Sequence, residues 1–113
     1  MDFDVVELGP RAQKLVLTGR LDAATVAAVE TRFTAVLAAS GRSAILDLRG
    51  LDVLASLGIR LLLSAARVVS RRGGKVVLFG AQPMVAQVME AMALDAVLPL
   101  VGTEAEALAA LEG

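Results

Sequence analysis

The chain contains no cysteine and no histidine, which excludes a disulfide framework, removes thiolate and imidazole metal ligands, and leaves the commonest general base missing. Tryptophan and tyrosine are also absent, and three phenylalanines hold the aromatic content at 3%. With a formal net charge of −1, no basic, base-stacking surface for nucleic acid is expected. There is no Walker-type glycine loop, no Gly-x-Gly-x-x-Gly turn and no nucleophile with a histidine base. An enzyme, a cofactor and a metal centre are therefore not expected.

Long uninterrupted apolar runs are missing too, although apolar residues make up 57% of the chain. A membrane-spanning helix needs about 20 such residues. Arg60 and Arg67 break the stretch after Gly58, and Glu90, Asp95 and Pro99 break the one after Pro83. Met1-Asp2-Phe3-Asp4 lacks the basic start of a signal peptide. A cytoplasmic protein without membrane insertion is the expectation.

What is present is a regular alternation of periodic segments, with no linker or repeat between them. The length of 113 residues matches one domain of the common ~100–150 residue size, so residues 1–113 are expected to form a single unit. Phe3 to Leu8 and Lys14 to Gly19 have strand character and flank the turn Gly9-Pro10-Arg11. Asp22 is a helix N-cap candidate, ahead of Val26, Val29, Phe33, Val36 and Leu37 on one helical face, and Gly41 ends that helix.

Ala44 to Leu48 and Lys75 to Phe79 are short apolar runs of the kind buried on both faces of a parallel sheet. A helix from about Leu57 to Arg72 connects them and stops at Gly73-Gly74. Pro83 opens a further helix with Met84, Val85, Val88 and Met92 as its core positions. A weak strand signal lies at Val97 to Val101, and Thr103 with Glu106 forms a capping box for a last helix. The pattern predicts an α/β fold with a mixed four- to five-stranded sheet and helices packed against it. Ile45, Leu46, Val76, Val77 and Leu78 should be buried, and partner contacts should come from the carboxyl ends of the parallel strands.

The stretch from Asp47 to Arg72 carries the most chemical information. Ser56 stands just before the predicted helix, where its hydroxyl can accept from the backbone N–H of Gly58 or Ile59. The same end carries free N–H groups and a partial positive charge, so a phosphate on Ser56 would be tolerated. At 100° per residue, Ser56, Arg60, Ser64, Arg67 and Arg71 share a polar arc, and Leu57, Leu61, Leu62, Ala65, Val68 and Val69 form the opposite face. Ile59 and Leu63 fall beside the arc. With Arg60 and Arg67 they make a candidate protein-contact surface.

Three stretches, Gly19-Arg20-Leu21-Asp22, Ile45-Leu46-Asp47-Leu48-Arg49-Gly50-Leu51 and Ala55-Ser56-Leu57-Gly58-Ile59-Arg60-Leu61-Leu62-Leu63, make nearly the whole chain resemble the STAS domain of anti-sigma factor antagonists. The resemblance implies a binding module. Unphosphorylated, such a domain binds an anti-sigma factor that is also a serine kinase, and a sigma factor is freed. Phosphorylation of one serine ends the complex, and a serine phosphatase resets it.

The family's Asp-Ser-Ser-Gly motif falls on Ala55-Ser56-Leu57-Gly58, so the resemblance implies Ser56 as phosphoacceptor. Ala55 and Leu57 replace the motif aspartate and second serine. It also implies that Asp22, Ala55, Leu57 and Gly58 join Ile59, Arg60, Leu63 and Arg67 in the partner-binding surface. Helix capping is an equal expectation for Asp22, and a loop hydrogen bond at a strand end is the expectation for Asp47. STAS modules also occur as small subunits of lipid-transport ABC systems and within larger signalling assemblies. A non-phosphorylated scaffold of that kind is the alternative function.

Overall fold

The computed structural model describes residues 1–94 and 97–112. The chain runs β1 (Asp2–Glu7), β2 (Ala12–Leu21), α1 (Ala23–Ser40), β3 (Ser43–Leu54), α2 (Ser56–Ser70), β4 (Val76–Phe79), α3 (Pro83–Ala91), β5 (Leu100–Val101) and α4 (Glu104–Glu112). All five strands form one sheet in the order β1-β2-β3-β4-β5. β1 is antiparallel to β2, and the remaining pairs are parallel. This is the mixed α/β sheet that the sequence pattern predicts.

The two faces of the sheet explain which strands are apolar throughout. Leu15, Leu17, Leu46, Leu48, Val76 and Leu78 point to one face and pack with the inner sides of α1, α2 and α3. Ile45, Val77 and Phe79 point to the other, where Ala107 of α4 covers them. β3 and β4 are thus covered on both sides, as their continuous apolar runs require. Full burial of one such side chain contributes about 1.5–3 kcal/mol. On β1, Phe3 reaches the main core and meets Phe33 of α1 edge to face, with ring centroids 5.2 Å apart.

Helix ends follow local chemistry. Asp22 caps α1 by accepting from Thr25 N–H at 3.2 Å, and Gly41 closes it in the left-handed conformation at φ 63°. Thr103 Oγ1 accepts from Glu106 N–H at 3.2 Å at the start of α4. Among the described residues, no helix is long and apolar enough to cross a membrane.

Two expectations need correction. β3 does not stop at Leu48 but continues to Leu54 beside β2, whose register shifts between Val16 and Thr18 and between Gly19 and Arg20. Gly50 allows this, because a Cβ there would stand 2.8 Å from Thr18 Cγ2. On α3 the core positions are Val85 and Met89, whereas Met84 is 72% exposed and Met92 is exposed as well. Met84, Val88 and Met92 share a flank of the helix, and of these Val88 packs partly against the core.

Candidate functional site

The carboxyl ends of β2 and β3 deliver the first turns of α1 and α2 to one end of the sheet. Leu21 pairs with Leu54 at the last step of the ladder, and Ala55 N–H then donates to the Leu21 carbonyl oxygen at 3.0 Å. That bond fixes where α2 begins. Ala55 takes an extended conformation as N-cap, and Ser56 is the first helical residue. Ser56 is therefore one position inside the helix, and the expected hydroxyl cap on Gly58 or Ile59 does not form. An alanine at the cap cannot supply one either.

The consequence for Ser56 is a free side chain. It is exposed and makes no hydrogen bond among the described residues. The first intrahelical bond runs from Ile59 N–H to the Ala55 carbonyl, so the N–H groups of the first turn have no intrahelical acceptor. Gly58 is buried directly beneath this turn. A Cβ on it would lie 2.6 Å from the Leu21 carbonyl oxygen, so glycine is what lets α2 sit on the end of β2.

The polar arc of α2 is at the surface as expected, with Arg60, Ser64 and Arg67 all exposed. The apolar assignments around it differ from expectation. Ile59 is only 6% exposed and belongs to the core, so it supports the surface from beneath, and Leu63 is half-buried against the same core. Leu57, expected on the core face, is instead 40% exposed. The buried face is centred on Gly58, Leu62, Ala65 and Val69, because contact of Gly58 with Leu21 rotates the helix away from the purely sequence-derived centre.

Leu57, Arg60, Leu61 and Ser64 form one wall of a groove of about 720 Å³ between α1 and α2. The other wall comes from α1 and includes Ala23, Ala27, Glu30, Thr31 and Thr34. These α1 residues were not anticipated. Their signal was available as small and hydroxyl residues recurring every three or four positions along one flank of the Val26, Val29 and Phe33 face.

Asp22 stands at the head of α1 near this groove, and its carboxylate is engaged within its own turn. Thr25 N–H donates to its carboxylate, its own N–H donates to Thr25 Oγ1 at 3.0 Å, and Arg20 Nε donates to Oδ2 at 3.3 Å. The Thr25 backbone bond, followed by Arg20, holds its carboxyl below the ordinary aspartate value. Asp22 thus acts as a helix cap in this fold.

Asp47 lies on the sheet face covered by α4, opposite the face that carries α1 and α2, and β3 continues well past it. Its Oδ1 accepts from Arg49 N–H at 3.0 Å and its Oδ2 from Arg49 Nη2 at 2.7 Å. The Arg49 guanidinium also sits 5.5 Å from the centre of the Phe79 ring. Gln82 Nε2 donates to the Arg49 carbonyl oxygen at 2.9 Å. This clasp ties the β4–α3 connection to the extension of β3.

Comparison with curated protein sequences returns no match. Among solved structures, an anti-sigma factor antagonist from Mycobacterium paratuberculosis is similar with a TM-score of 0.85 and 22% identity, over 99% of this chain and 94% of that one. The anti-sigma factor antagonist SpoIIAA in its unphosphorylated form is similar with a TM-score of 0.80 and 21% identity, over 99% of this chain and 97% of that one. The Bacillus cell fate determinant SpoIIAA in the phosphorylated form gives 0.70 and 22%, over 96% and 98%. These likenesses concern the fold. The STAS domain family matches residues 6–107, which contain both strand ends, the α1–α2 groove and the Ala55-Ser56-Leu57-Gly58 turn. The chain belongs to the STAS domain family.

Proposed function

We propose that the chain is an anti-sigma factor antagonist: a cytoplasmic binding module, not an enzyme, that captures an anti-sigma factor with serine kinase activity and is released from it by phosphorylation of Ser56. The observation that carries this reading is the free, exposed Ser56 hydroxyl in the first turn of a 15-residue helix. Its membership of the STAS family supports the class of function, and a relative in fold is known in both unphosphorylated and phosphorylated forms.

The switch follows from charge. A phosphate adds about −1.5 to −2 charges and three acceptor oxygens. The first-turn N–H groups and the helix dipole stabilise that charge, so the fold survives the modification. Arg60 is four residues further on and therefore neighbours Ser56 on the helix surface. In the unphosphorylated state Arg60 is free to meet a partner alongside Leu57, Leu63 and Arg67, with Ala55, Gly58 and Ile59 as support. A phosphate draws that arginine back onto its own helix and adds a charge that the partner has to desolvate. A serine phosphatase reverses both effects.

Capture from native lysate followed by identification of the retained protein supplies the partner. Incubation with that partner and ATP, then mass spectrometry, tests the switch. Phosphate on Ser56 and loss of the complex are the expected results. Phosphate on Ser64 or Ser70, or none at all, would sink it. Ala55 and Leu57 in place of an acidic residue and a second serine favour a non-phosphorylated scaffold in that event, with a transporter ATPase as the retained protein.

A further inference from the structure

The net charge of −1 conceals a strong segregation of charge. Because β2, β3 and β4 are parallel, the three segments that lead into them lie together at the end of the sheet opposite Ser56. Ser43 N–H donates to the Arg11 carbonyl oxygen at 3.2 Å, and Ala44 N–H donates to the Lys75 carbonyl oxygen at 2.9 Å, which ties the segments side by side. They bring Arg11, Arg42, Arg71, Arg72 and Lys75 to one end, and Arg67 stands one turn back on α2. Five of the eleven basic residues are gathered there, and Arg67 stands between this end and the partner-facing arc of α2. Against them, among the described residues, stand Glu7, which Arg42 already engages, and Glu90 and Glu112 at the ends of α3 and α4.

Apolar side chains are exposed at the same end. Val97, 56% exposed, borders a shallow groove with Arg67, Ser70 and Arg71, and Met92 follows the last turn of α3. All three phenylalanines are buried, so no aromatic ring is available to stack on a nucleobase. The cations come from three separate segments spread over a broad end of the molecule. Such a distribution suits a plane of negative charge more than a single acidic peptide.

We propose that this end docks the protein on an anionic phospholipid surface, with the arginines facing headgroup phosphates and Val97 and Met92 reaching the interface. Docking in this orientation turns the Ser56 end toward solvent, where a protein partner can reach it. The proposal does not depend on phosphorylation of Ser56. Attraction of this kind decays within a Debye length, so it is sensitive to salt.

Cosedimentation of the full chain with phosphatidylcholine vesicles, with and without phosphatidylglycerol, tests the idea. Binding is expected with phosphatidylglycerol alone and should be lost as salt approaches about 1 M. Arg11→Gln with Arg71→Gln removes two exposed cations that form no ion pair among the described residues, and should lower partitioning about 25-fold, or roughly fivefold per charge. Arg32→Gln removes one positive charge from the middle of α1 and should change partitioning less than about twofold, against the roughly fivefold per charge at the basic end. Circular dichroism of each variant confirms that it is folded. Equal binding to neutral vesicles, no binding to anionic ones at low salt, or a double variant that binds like the parent would overturn the proposal. So would tighter binding to polyglutamate than to the vesicles, which would assign the surface to an acidic protein.

Discussion

At the scale of single residues, two neighbours in one turn carry opposite kinds of constraint. Ser56 makes no hydrogen bond among the described residues, whereas a Cβ on Gly58 would stand 2.6 Å from the Leu21 carbonyl oxygen. Ser56→Ala is therefore expected to leave unfolding free energy within about 0.5 kcal/mol of the parent, because there is no cap to lose. Asp22→Ala does remove a cap and should lower the melting temperature measurably. A Ser56→Ala variant as destabilised as Asp22→Ala would show that the serine has a structural partner in solution. Gly58→Ala should cost about 1–3 kcal/mol, since the methyl group must push α2 away from the Leu21 carbonyl. Urea denaturation measures it, and a parent-like midpoint would mean that the helix end is free to move. Which residue starts α2 could not be read locally. The sequence makes Ser56 the better cap by type, and the Ala55 bond to Leu21, formed across the sheet, overrides that preference.

At the scale of elements, the extension of β3 from Arg49 to Leu54 is what separates Asp47 from Ser56. The apolar run ends at Leu48, and Arg49-Gly50 has the composition of a loop, so nothing local announces that β2 will go on pairing with the chain, across two register shifts, as far as Leu54. The clasp at the start of this extension is also acid-sensitive. Burial raises the Asp47 carboxyl, but hydrogen bonds from the Arg49 side chain and backbone outweigh it and hold the pKa below the ordinary aspartate value. A folded-state pKa below the unfolded one contributes stability that is present above about pH 4 and is lost as pH falls through the folded value. Asp47→Asn should cost about 1.5 kcal/mol near neutrality, the low end for bonds to a charged group because Arg49 is largely exposed. It should also flatten the acid limb of a stability profile measured by denaturation from pH 6 down to about pH 3. An unchanged limb would mean that the carboxylate keeps its ordinary affinity for protons. The polar arc of α2, by contrast, was legible from spacing alone. Its buried face differs from the spacing where Leu57 is exposed and Val68 half-buried while Ile59 and Ala66 are buried, a rotation in line with the contact of Gly58 with Leu21.

At the scale of the whole molecule, the fold class was legible because each covered strand is apolar in the pattern its surroundings require. The division into a basic end and a Ser56 end was not, since the arginines are scattered along the sequence and converge only through the parallel topology. That topology has another consequence, which concerns synthesis. Strand order in the sheet equals strand order in the chain, so every strand from β2 to β5 joins the exposed edge of its predecessor and none has to insert between two others. A growing polypeptide can therefore add layers in the order the ribosome delivers them. The two strand ends and two helix starts that frame Ser56 are all made before β4 emerges, and the later elements close the core around a switch turn that is already assembled.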